Sequence, residues 1–487
     1  MQEVIGAPSS SSSARGLRGG LLLLAGLVGV AAAFLGPLAA LPIVGALLLA
    51  GIMARPEYGI ALFLSTFLMA YPKALQGSGY LTINNVLGGI FGVMLIYELY
   101  RDGNWWFLKT REIQLLLFVV AMYFVSEQIN GPDPLQLKLL GSGFYFAEGL
   151  RTFSNRVAFT LFFIVYIRSP SHLRMIYILA VAFMVITALT GVQGVLRGGG
   201  LKGYRAYTET TELVAGQVGI IRAAGNPNRL AMFAILAIAG VWYLSQSMRS
   251  SLIRYMALVT IAILALAVFM TASRSGFLGL AVCGLAIVVG EGFDLRRLFN
   301  FSLAALLMGA LVIQFVPEKN LERILNLPGT AGAASGEGSA SIERRGYVFE
   351  VATEMLADNP FIGVGMGNWA AVRFLKDPSF STGSPHNSYL LALVEGGPLC
   401  LAGFILLLWL TWLNLRRCER YVDAPGSPLG EISWVVKSAK VSLLVLIFFS
   451  AVADLWQLVI LFMLVGVSVV TRRLIVDAER NAAALAY

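Results

Sequence analysis

Arg222, Arg274, Arg345 and His386 come from distant parts of the chain, and their types suit anion binding and proton transfer. Guanidiniums grip phosphate oxygens bidentately, so several gathered together fit a multiply charged anion such as a diphosphate. His386 stands in SPHNSY, directly before the apolar run LLALVEGGPLCLAGFILLLW. That places it near a helix N-terminus, where the macrodipole favours the neutral ring. A neutral imidazole can take a proton from a hydroxyl. Each of these residues also has a plain explanation: arginines at a membrane edge snorkel to the headgroups, and a histidine there can simply cap a helix. Lesser candidates are Arg344, beside Arg345, and Asn387, Glu395 and Asp454.

Spacing sorts the lesser candidates. Nine residues separate His386 from Glu395, and ~100° per residue puts them on opposite faces of a continuous helix. Glu395 is therefore read as a buried packing group or an arginine partner, and GGP at 396–398 is a place for that helix to break. Gly363, Gly365 and Gly367 could offer backbone N–H groups to a phosphate. They lack the lysine and the strand context of a nucleotide loop, so a tight turn is the preferred reading. Asp454 falls in a short turn, as an acid, an arginine partner or an ordinary turn carboxylate. His172 sits in the basic link RSPSHLR and reads as a solvated residue. Two histidines and three scattered cysteines give no metal spacing and no disulfide framework, so neither metal nor cofactor is expected.

The elements that must position these groups are membrane helices. The chain is 57% hydrophobic and only 13% charged over 487 residues. A soluble domain carries about 25% charged residues, and the long continuous apolar runs fit helices rather than barrel strands. The expected fold is all-α, a polytopic membrane protein of about 12–14 helices. The spans read are 20–35, 38–54, 57–72, 84–100, 113–127, 156–168, 174–194, 227–245, 253–271, 275–291, 298–316, 389–413, 434–452 and 455–472. The net charge of +9 does not point to nucleic acid, because most of it sits in short links between the apolar runs.

Those links set an orientation. Arg15/Arg18, Arg55, Arg101/Lys109/Arg111, Arg168/Arg174, Arg249/Arg254, Arg296/Arg297, Arg416/Arg417/Arg420 and Arg472/Arg473 all share one parity, which the positive-inside rule assigns to the cytoplasm. The expected organisation has five parts: a disordered cytoplasmic tail at 1–19, N-terminal transmembrane helices at 20–316, a large outward loop at 317–388, C-terminal transmembrane helices at 389–472 and a cytoplasmic tail at 473–487. A cleavable signal peptide is the rival for the first part. Further outward loops lie near 128–155 and 195–226. The largest loop holds a Gly/Ala/Ser segment, suited to a lid or a linker, then a helix from about 341 to 357 ended by Asp358, Asn359 and Pro360. Arg222, Arg274, Arg345 and His386 all fall on the outward side.

Four stretches in order then carry a resemblance: RAAGNPNRLA from Arg222, TASRSG around Arg274, RGYVF from Arg345 with DNPFIGVGMGNW from Asp358, and HNSYL from His386 with EGG from Glu395. In these, roughly residues 215–400, the chain resembles the O-antigen ligase and O-antigen polymerase superfamily of bacterial membrane glycosyltransferases. The resemblance implies a C-type glycosyltransferase-like architecture in the bacterial inner membrane, with a periplasmic site and both termini cytoplasmic. It implies metal-independent, inverting transfer of a glycan from undecaprenyl diphosphate to a lipid or glycan acceptor. On that resemblance Arg222 and Arg345 would hold the diphosphate, Arg274 would assist, and His386 would be the base. Arg344 leaves the alignment of the arginine open by one position. A ligase-type activity is the reading taken; a repeat-unit polymerase of the same superfamily and a lipid-linked glycan exporter are the alternatives.

Overall fold

The computed structural model describes residues 49–68, 83–103, 105–132, 148–198, 227–271, 273–292, 337–376, 385–455 and 458–485, with 299, 309, 310 and 314. Arg222 lies outside the described residues, as do the tail at 1–19, the span 20–35, and most of the spans 38–54 and 298–316 and of the loop 195–226. The chain divides into two compact units, residues 1–59 and 60–487, and every site residue discussed below belongs to the second.

The described residues form helices and turns, with no strand among them. The helices are α1 (Pro56–Leu68), α2 (Ile83–Asp102), α3 (Arg111–Asn130), α4 (Glu148–Tyr166), α5 (Pro170–Gly198), α6 (Pro227–Ser247), α7 (Ser251–Met270), α8 (Arg274–Gly290), α9 (Glu337–Asp358), α10 (Trp369–Lys376), α11 (Ser388–Val422), α12 (Ser433–Ser450) and α13 (Val459–Leu485). Among the described residues eight helices (α2, α3, α5, α6, α7, α11, α12 and α13) are long and apolar enough to cross a membrane, and α4 and α8 hold shorter apolar segments. The protein is a polytopic α-helical membrane protein.

Hydrocarbon tails are as apolar as leucine, so helices in a bilayer must be held by close packing and internal hydrogen bonds. The most enclosed are α6, α12 and α13, whereas α2 and α7 turn most of their apolar surface outward. α6 packs against α5, α7, α8 and α12, while α11 packs against α3, α12 and α13. Gly276 lets α8 come close to α6, since a Cβ there would lie 2.6 Å from the Ala231 Cβ. Elsewhere aromatics fill the gaps, with Phe91 and Phe162 stacked at 5.3 Å and Phe63 edge-on to Phe159 at 5.7 Å.

Element ends depart from the hydropathy reading where polar turns prolong helices. α4 begins at Glu148, inside the stretch read as the loop 128–155. α11 continues beyond 413 to Val422, and α13 runs through the stretch read as a tail, to Leu485. Both extensions (LNLRRCERYV and DAERNAAAL) are rich in good helix formers, which carry the backbone out of the apolar layer without a break. Within 317–388 the described residues form α9 and α10. α9 ends at Asp358 as the Asp-Asn-Pro signal predicts, and docks through Val348, Val351, Ala352 and Met355 on Val364, Trp369 and Val394.

Candidate active site

His386 is held in a conformation that few side chains adopt. Its φ is 52°, positive among otherwise glycine positions, and this left-handed region costs a non-glycine residue on the order of 1 kcal/mol. The turn is fixed from its C-terminal side: Asn387 caps α11, its Oδ1 accepting the N–H groups of Tyr389 and Leu390 at 3.0 Å each. The imidazole that results is 46% exposed and carries its Nδ1 3.3 Å from Oδ2 of Asp454.

Asp454 lies in the turn between α12 and α13, and Ser388 brings it there. The Ser388 hydroxyl donates to the Ala453 carbonyl and accepts the Leu455 N–H, both at 2.8 Å. These two bonds bracket Asp454 and tie its turn to the first residue of α11. Tyr389 adds a third tie, donating its hydroxyl to the Ile447 carbonyl at 3.0 Å. A ring protonated at Nδ1 would place that proton on the side of the carboxylate and leave Nε2 able to accept a proton, and a carboxylate at this distance can stabilise an imidazolium.

Arginines flank this pair. Arg229, in the first turn of α6, donates Nη2 to the Asp454 carbonyl at 3.3 Å, and its charge also faces the Asp454 carboxylate. Arg156, two turns into α4, lies over the Phe67 ring at 3.9 Å and close enough to Arg229 to act on it as a like charge. Arg274 opens α8, whose N-cap Ser273 accepts the Gly276 N–H at 2.9 Å and donates to Oδ1 of Asn228 at 2.6 Å. That last bond joins the TASRSG and NPNR stretches, so Arg229 and Arg274 start two neighbouring helices at the same end of the bundle. Arg344 and Arg345 lie on α9, where their backbone is described but their side chains fall outside the described residues.

Glu395 belongs to a different arrangement. Pro398 has no N–H to return to the Val394 carbonyl, and Gly397 (φ 81°, ψ 176°) turns the chain out of helix there. The freed carbonyls of Val394 and Glu395 accept the N–H groups of Val364 and Gly365 at 3.0 Å each. The Glu395 carboxylate, buried at 3% exposure, accepts from Trp369 N–H at 3.2 Å and from Gly367 N–H. Ser126 and Asn130 of α3 close the far side, Ser126 donating to the Glu395 carbonyl at 2.7 Å and Asn130 to the Ile362 carbonyl at 2.5 Å. The glycine loop thus spends its N–H groups inside the protein, as the turn reading expects. Asp454 is within electrostatic range of Glu395, but the Glu395 carboxylate is turned to the loop.

Sequence reasoning named His386, Asn387, Asp454 and Arg274, and the described structure gathers them at one end. It missed Arg156 and Arg229. Arg229 was legible as the last polar residue of NPNR, whereas Arg156 sits in RTFSNRVAFT, where nothing local separates it from a snorkelling arginine.

Residues 258–408 match the sequence model of a family described as O-antigen ligase. The matched stretch contains Arg274, Arg344, Arg345, the glycine loop, His386 and Glu395, whereas Arg156, Arg229 and Asp454 lie outside it. No curated protein and no solved structure matches the chain. The chain is thus a multi-pass membrane protein in which residues 258–408 are similar to the O-antigen ligase family.

Proposed function

We propose that the protein is an O-antigen ligase-type glycosyltransferase, moving a glycan from undecaprenyl diphosphate to an acceptor hydroxyl at the periplasmic face. The observation that carries the proposal is the contact between His386 Nδ1 and Asp454 Oδ2 at 3.3 Å, with Arg229 bonded to the same turn.

The step is a single displacement. His386 Nε2 takes the proton of the acceptor hydroxyl as its oxygen attacks the anomeric carbon. The bond from that carbon to the diphosphate oxygen breaks, and its electron pair leaves with the diphosphate. Attack opposite the leaving group inverts the anomeric centre. A positioned base of this kind contributes on the order of 10²–10⁴-fold. The growing charge on the leaving diphosphate falls to the arginines, with Arg222, Arg274 and Arg345 as the donor-binding set and Arg229 and Arg156 added beside them. Diphosphate is a good leaving group, so base and arginines suffice without a metal. On the charge pattern of the links, this end of the bundle faces the periplasm and both termini face the cytoplasm.

The test is complementation in a strain lacking the gene, with surface glycan read by gel. His386→Ala and Arg345→Ala should reach the membrane and yield no transferred glycan. Long lipid-linked chains accumulating in those strains mark a ligase, and single lipid-linked repeat units mark a polymerase. Full restoration by both variants would overturn the transferase reading and leave the exporter.

A further inference from the structure

At the end of the bundle away from His386, α2, the end of α4, α13 and the 3-10 turn Trp106–Lys109 line a half-open cavity of about 310 Å³. α13 begins just after the Asp454 turn, and Arg473 lies fourteen residues along it, roughly 20 Å away at 1.5 Å per residue. The cavity is thus separate from the site described above, and at the lower end of the ~300–1,000 Å³ typical of small-ligand sites.

Its walls divide by chemistry. Leu95, Leu99, Val165 and Phe107 are apolar, whereas Glu98, Arg168, Arg473 and Asp477 bring two negative and two positive groups. Arg168 donates Nη2 to Glu98 at 2.7 Å and Nε to the Val165 carbonyl at 3.2 Å. Arg473 donates Nη1 to the Ile164 carbonyl at 2.8 Å and Nη2 to that of Ile167, capping the end of α4. It also lies 5.1 Å from the Trp106 ring centre, with Asp477 one turn on. A guanidinium has five N–H donors, and the bonds just described use two on each arginine. Tyr97 and Tyr100 on the outer surface of α2 are 60% and 90% exposed, and Trp105 is 50% exposed, an aromatic belt of the kind found where a membrane meets water.

We propose that this cavity binds the headgroup of an amine-bearing zwitterionic phospholipid, its phosphate at Arg168 and Arg473 and its ammonium at Glu98 and Asp477. Balanced charge argues against an anionic headgroup, which would meet as many repelling groups as attracting ones. A quaternary ammonium has no N–H for the carboxylates to accept. The apolar walls and the aromatic belt favour a lipid over a free zwitterion, since they give the first methylenes of the tails a surface to lie on.

The experiment is native mass spectrometry of the full-length protein in detergent with equal amounts of phosphatidylethanolamine, phosphatidylglycerol and phosphatidylcholine. The expected result is that phosphatidylethanolamine is retained at least about fivefold over each of the others, a difference of about 1 kcal/mol. Glu98→Gln with Asp477→Asn, which keeps both arginines, should erase that preference and raise phosphatidylglycerol. Arg168→Gln, measured separately, should lower retention of both lipids. Equal retention of the three lipids by the wild type would overturn the proposal. So would an ethanolamine preference unchanged in the doubly substituted protein, or free phosphoethanolamine displacing the lipid at equal concentration.

Discussion

Two carboxylates near the start of α11 have opposite surroundings. Glu395 is 3% exposed and accepts backbone N–H groups from the glycine loop, so its charge is absorbed inside the protein. The Asp454 side chain is 16% exposed and faces an imidazole that is 46% exposed, so its charge acts on a group open to solvent. Glu395 lies on the helix that follows His386 yet orders a loop. Asp454 is 68 residues from His386 in sequence and touches it. The nearer carboxylate in sequence is thus turned to a backbone loop, and the distant one is the one in contact with the imidazole.

This contrast can be broken by substitution. The largest expected effect is at His386, where Ala should lower the transfer rate by about 10²–10⁴-fold with the protein still present in the membrane. Asp454→Asn should follow, at about 10²-fold or more, because an amide cannot stabilise imidazolium and can present its N–H to Nδ1, reversing the tautomer. Glu395→Ala should act on stability instead, since leaving buried N–H groups unmet costs ~1–3 kcal/mol each. Its melting temperature should fall clearly, while the rate per folded molecule stays within about threefold, under 1 kcal/mol of barrier. Gly397→Ala should lower the melting temperature, because its φ of 81° with ψ 176° is essentially a glycine-only conformation, costing ~1–3 kcal/mol. A Cβ there would also collide with the Phe361 carbonyl oxygen. The smallest effect is expected at Ser388→Ala, which loosens the bracket around Asp454. About 1 kcal/mol, or roughly fivefold in rate, is the scale of such a hydrogen bond.

Much of this arrangement was legible in the sequence. Apolar runs marked the spans, and the Asp-Asn-Pro sequence at 358–360 marked the end of α9, because these signals are local. GGP marked the break at Gly397, whereas the angular argument for Glu395 assumed a helix that includes His386, and His386 lies before the Asn387 cap, outside the helix. Helix ends at 148, 422 and 485 were missed, since polar residues with good helix propensity carry no hydropathy signal. The partnership of His386 with Asp454 was beyond reach. It depends on Ser388 folding one turn back onto another helix pair, and no spacing along the chain encodes that distance. The place of Arg156 beside Arg229 is hidden for the same reason.

The most direct test of the central claim is a double-mutant cycle on transfer rate with purified wild type, His386→Ala, Asp454→Asn and the combined variant. If Asp454 works through His386, the combined variant will be no slower than His386→Ala alone. If the two losses multiply instead, the residues act independently, and the pair is not the catalytic unit described here.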